Sequence, residues 1–228
     1  MALETLAGLS AEVVACRACP RLVTWREEAA ANPPARFAGE RYWARPLPGF
    51  GDPMARILLV GLAPAAHGGN RTGRLFTGDR SGDFLFAALH RTGFASQPDS
   101  QTAGDRLTLT GAYVAAVVRC APPDNKPTPA ERDSCLPFLV RELTLLGEIR
   151  VIVALGAYAW EGALRALAES GVTAKARPSF AHLAEARIGR YSLIGSYHPS
   201  QQNTFTGRLT APMLDAAILR ARELACTE

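Results

Sequence analysis

The chain of 228 residues is 48% hydrophobic and carries a formal net charge of +4, with a pI near 9.0. That profile fits one domain spanning residues 1–228 and excludes a disordered chain; no apolar run reaches the ~18 residues that a membrane-spanning helix needs. The basic balance admits a polyanionic partner without requiring one.

At the N-terminus, apolar residues at Leu3, Leu6, Leu9 and Val13 predict a helix over Leu3–Ala15. The stretch from Met1 to Val14 carries Glu4 and Glu12 and no Lys or Arg, so it does not read as a secretion signal, and a cytoplasmic protein of bacterial type is expected. Four runs rich in Val, Ile and Leu predict buried strands: Arg56–Gly61, Tyr113–Val118, Arg150–Leu155 and Tyr191–Ser196. Their lack of clean alternation suits a parallel sheet covered on both faces. Helices are predicted between them at Asp83–Arg91, from Thr128 towards Gly147 and at Ala157–Glu169, with a last one at Pro212–Leu224. Thr128 as N-cap, Pro129 at the first helical position and Glu131 two further on form a strong start signal, and Pro137 predicts a kink in that helix. The alternation predicts an α/β fold, a three-layer α/β/α sandwich around a four-stranded parallel sheet.

In such folds ligands bind beyond the carboxyl ends of the strands, so the loops there carry the functional information. Gly61 to Asp79 follows the first strand, with glycines at 61, 68, 69, 73 and 78 that allow close backbone approach to a ligand. Arg119 to Pro129 follows the second strand and Tyr197 to Gly207 the fourth. No phosphate-binding P-loop or dinucleotide fingerprint is present. Three long polar loops on one sheet edge point to a site.

Five cysteines in a chain without a secretion signal argue for metal binding over disulfides. Cys16 and Cys19 form a C-x2-C pair, and Cys120 and Cys135 form C-x14-C about a hundred residues later. The spacing fits zinc and a [4Fe–4S] cluster equally, and no histidine is suitably spaced to replace a thiolate. Cys226 reads as a bystander.

Taken together, Gly61-Leu-Ala-Pro-Ala65, Gly73-Arg-Leu-Phe76-Thr-Gly78, Arg119-Cys120-Ala-Pro-Pro123 with Asn125, and His198-Pro199-Ser200 closely resemble the iron–sulfur branch of the uracil-DNA glycosylase superfamily, and within it the fifth family, or type b. The resemblance runs from Cys16 to about Gly207. It implies a monofunctional enzyme that removes uracil from double-stranded DNA, acts as a monomer, and holds a structural [4Fe–4S] cluster on Cys16, Cys19, Cys120 and Cys135. Two departures from better-known branches stand out. The first motif has Ala63 where others place a polar side chain to hold water, and Ala116 stands where a uracil-reading Asn is usual. Both imply a looser pocket that also accepts other deaminated bases such as hypoxanthine.

The chemistry needs a base swung out of the duplex and an environment that stabilises the departing base anion. Phe76 is the candidate stacking partner and His198 the candidate donor, assisted by backbone N–H groups of the Gly61–Asn70 loop. Asn125 is the first candidate to orient the water, with Asn70 and Asp79 behind it. Gln201, Gln202 and Asn203, in the stretch running to Phe205, are candidates to enter the duplex, and Arg71, Arg74, Lys126 and Ser200 to contact phosphates. The competing readings are a non-catalytic zinc or iron–sulfur nucleic-acid-binding protein and an enzyme acting on free nucleotides.

Overall fold

The computed structural model describes residues 4–226. The first helix, α1, spans Leu6–Ala15, with the Thr5 side chain accepting from Gly8 N as its cap; the predicted start at Leu3 lies outside the described residues. A second helix that the sequence reading did not anticipate, α2 (Pro20–Ala31), begins directly after Cys19 with Pro20 at its first position.

The sheet has six strands, not four. They are β1 (Phe50–Gly51), β2 (Ile57–Gly61), β3 (Ala112–Ala116), β4 (Val151–Leu155), β5 (Glu185–Ile188) and β6 (Tyr191–Ser196), in the spatial order β1-β3-β2-β4-β6-β5. The four anticipated strands are mutually parallel and form its centre. The two unanticipated ones pair antiparallel at the edges, β1 on β3 and β5 on β6, so the sheet is mixed. Beyond β3 the pairing continues, with Val117 N donating to Gly61 O and Val118 N to Leu62 O.

Helices cover both faces. α4 (Arg80–Arg91) and α8 (Ala211–Cys226) lie on one side, α5 (Pro129–Leu145) and α6 (Ala157–Glu169) on the other. Successive strand residues feed opposite cores: Ile57 and Leu59 pack with α4 and α8, while Leu58 and Val60 pack with α5 and α6. α5 carries the anticipated capping box, Thr128 and Glu131 each satisfying the other's backbone, and it runs as one helix through Pro137. Two short helices lie in the loops, α3 (Gly69–Thr72) and α7 (Gln201–Phe205).

From β2 the chain steps to β3 on one side and later to β4 on the other. Neighbouring loops therefore diverge at the carboxyl end of β2, and a crevice opens there.

Candidate active site

Gly61 ends β2 with the Phe76 ring lying against it: a Cβ on Gly61 would come within 2.6 Å of Phe76 Cζ. Phe76 itself has φ 52°, a left-handed conformation uncommon for a bulky residue. Its ring is 6.0 Å from the His198 ring, centroid to centroid, with 33° between the planes. His198 follows β6 and packs against Gly156, whose φ of 99° and 3.2 Å clearance from His198 Cβ leave little space for a side chain. The Asn203 amide, on α7, donates to the His198 carbonyl at 2.9 Å and holds this turn.

Asn125 closes a short 3-10 turn, Pro123–Asn125, after β3. Asp124 and Asn125 both take positive φ, 52° and 56°, so two consecutive residues occupy a strained region. Asp79 caps α4, its carboxylate accepting from Gly82 N at 3.0 Å, and it packs so closely on Gly68 that any Cβ there would meet its Oδ2. Burial pushes the Asp79 carboxyl above the usual carboxylate range against two backbone hydrogen bonds that lower it.

These groups meet in one cleft of about 1480 Å³, counting its open mouth. Ala63, Phe76, Asp79, Ala116, Asn125 and His198 line it. Lys126, Ser200, Gln201, Gln202 and Asn203 line it as well. Burial pushes the His198 imidazole down to about 4, so at neutral pH the ring is neutral and has one N–H to donate.

Three anticipated site residues are placed differently. Asn70 is buried, and its amide donates to the carbonyls of Arg26 (3.1 Å) and Ala66 (3.3 Å), so it does not line the cleft. Arg74 is buried too, paired with Asp105 at 2.7 Å and bonded to Ser100 and Thr77, which leaves no free face for a phosphate. Arg71 is spent on Glu40, His67 O and Gly78 O and stacks over Phe37; it lines a second, adjoining cleft with Trp25 and Arg36. Of the loop N–H groups, those of Gly68 and Asn70 are used internally on Ala65 O. Sequence reasoning overlooked Arg80 and Ser81, which line the main cleft in the first turn of α4. The signal was there in Asp79-Arg-Ser-Gly82, an N-cap followed by an open helix start.

Cys16, Cys19, Cys120 and Cys135 line a separate, narrow pocket, about 340 Å³ counting its open side, between the turn that follows α1, α2, the loop after β3 and α5. All are free of disulfides, and Cys226 is exposed in the last turn of α8, away from them. Arg26 Nη1 donates to Cys120 Sγ at 3.0 Å and Arg119 N to Cys135 Sγ at 3.2 Å. Burial pushes the Cys120 thiol up to about 11 and Cys135 to about 12, so they would ionise only on binding a cation. Among the described residues, no three His, Cys, Asp or Glu side chains converge on a single-ion site.

Residues 48–222 match the family model of the uracil DNA glycosylase superfamily. A type-5 uracil-DNA glycosylase of Thermus thermophilus is 55% identical over 214 residues, covering 93% of this chain and 95% of that protein. One from Mycobacterium leprae is 53% identical over 219 residues, 95% and 94% of the two chains. A type-4 uracil-DNA glycosylase of Pyrobaculum aerophilum reaches 33% over only 117 residues, 51% and 52% of the two. Breadth of match separates the two types, and the chain belongs to the uracil DNA glycosylase superfamily, on its type-5 branch.

Proposed function

We infer that this chain hydrolyses the N-glycosidic bond of uracil in double-stranded DNA and leaves an abasic site for base excision repair. The observation that carries the reading is the meeting of Phe76, Asn125 and His198 around one cleft at the carboxyl end of the sheet. An extruded base stacks on Phe76. Bond cleavage leaves negative charge on the departing base, and the neutral His198 donates to its carbonyl oxygen. Ala63 offers nothing to hold water, so Asn125 orients it from across the cleft. Asp79, a carboxylate made more basic by burial, accepts the water's proton. Asn203 is a positioning residue that holds the His198 turn. Lys126, Ser200, Gln201 and Gln202 take the DNA at the rim. No helix among the described residues is long and apolar enough to cross a membrane.

The four cysteines suit a [4Fe–4S] cluster better than zinc. All four line one pocket, yet among the described residues no three His, Cys, Asp or Glu side chains meet at a single-ion site, which favours the cluster over one tetrahedral zinc. Bound there, the cluster would supply a covalent staple between the N-terminal helices, the loop after β3 and α5.

Ala63 and Ala116 leave the cleft wall apolar where the base edge would be read, which favours acceptance of hypoxanthine as well as uracil. The test is a single-turnover assay on duplexes containing uracil or hypoxanthine, scored for alkali-labile sites. Cleavage at both is expected; no cleavage at uracil overturns the reading, and strict rejection of hypoxanthine overturns the open-pocket part. Asn125→Ala should slow uracil release by about 10²-fold with DNA affinity retained.

A further inference from the structure

Arg26, on α2, is only 2% exposed. The other two largely buried arginines have acidic partners, Arg119 with Glu142 and Arg74 with Asp105. Arg26 has no carboxylate partner among the described residues. Its guanidinium faces the cysteine cavity: Nη1 donates to Cys120 Sγ at 3.0 Å, Nη2 reaches Cys16 O only at 3.4 Å, and Nε is buried without a partner. A buried cation with no anion is strongly unfavourable, and the groups that could supply the anion here are the thiolates. The same residue also touches the catalytic loop. Its backbone carbonyl accepts from the Asn70 amide at 3.1 Å, and that amide also holds Ala66 O, next to the cleft-lining Ala63, Pro64 and Ala65.

We propose that Arg26 is the resident counter-ion of the cysteine-held cluster and, through Asn70, the joint that ties the cluster to the loop forming the cleft. Four thiolates around a cluster core leave a net negative charge. A guanidinium hydrogen-bonded to one sulfur offsets it, and it offsets the additional charge of the reduced state still more. The side chain is a positioning residue that touches no substrate. The proposal rests on the cluster reading above.

The test uses intact protein purified without oxygen. Iron analysis and the visible spectrum of the wild type come first: a colourless, zinc-loaded protein defeats the cluster reading itself. Given a loaded wild type, Arg26→Gln is compared by film voltammetry and by the rate at which a chelator bleaches the cluster. Loss of the positive charge should move the midpoint potential to more negative values and speed bleaching several-fold. Arg26→Lys, which restores charge, should return the potential close to that of the wild type. An Arg26→Gln protein with full iron and unchanged potential and bleaching would refute the counter-ion role. Should Arg26→Gln not load, Arg26→Lys decides: loading with a near-wild-type potential supports the proposal, and failure to load despite retained charge overturns it. Asn70→Ala probes the joint. Full iron, an unchanged potential and a roughly tenfold slower single-turnover rate are expected, and an unchanged rate removes the link to the cleft.

Discussion

His198 shows how burial alone sets a protonation state. With no charged partner, desolvation drops its imidazole to about 4, so it stays a neutral donor through the physiological range. The same shift has a stability signature. In the unfolded chain the ring titrates near ~6.5, so between that value and about 4 the unfolded state binds a proton that the folded state does not. This contribution is complete above about pH 6.5 and is lost as pH falls towards 4. His198→Gln should therefore lose about 1–2 kcal/mol less stability than the wild type between pH 7 and pH 5, measured by urea unfolding. The wild-type single-turnover rate should show no His198 ionisation near pH 6.5, and His198→Ala should lower that rate by about 10²–10³-fold. Gly61 was legible only as part of a Gly-rich stretch. Its reason lies in the fold, where the Phe76 ring stands 2.6 Å from the place a methyl would take. Gly61→Ala should displace that ring and depress uracil release while the thermal midpoint changes far less; equal loss of both would show the ring to be part of the core instead.

At the scale of elements, strong local signals reached the structure intact. α5 starts where Thr128, Pro129 and Glu131 say it should, and the four central strands coincide with the Val/Ile/Leu runs. Elements whose stability comes from neighbours were not legible. α2 contains buried Arg26 and, with Leu22 and Val23, forms one wall of the cysteine pocket. β1 is two residues long, and β5 (Glu-Ala-Arg-Ile) is an edge strand held by its hairpin with β6, turned at Gly189 with φ 56°. Within the face covered by α5, the Arg119–Glu142 pair is almost wholly buried, and Glu142 also accepts from Gly49 N at 3.2 Å. Glu142→Gln leaves Arg119 charged and uncompensated, so a loss of about 3–5 kcal/mol is expected from denaturant unfolding.

For the whole molecule, DNA binding depends on which cations remain free. Arg74 is locked to Asp105, Ser100 and Thr77, whereas Lys126 is exposed on the cleft rim. Lys126→Gln should reduce the slope of log affinity against log salt by about one, as expected for one phosphate contact. Arg74→Gln should leave that slope unchanged and lower the unfolding midpoint; a reduced slope for Arg74→Gln would mean that the pair opens on DNA. The sequence by itself determined the strand–helix alternation, the loops that carry chemistry, the cysteine set and the family, because these are written in local composition and in motif spacing. Only the tertiary structure decided that Asn70 and Arg74 turn inward while Asn125, Asp79 and His198 face one cleft, and that Arg26 stands unpaired beside the thiols. The physical reason is that a polar side chain's role depends on its partners and on the water it has lost, and both are fixed by segments far away in the chain.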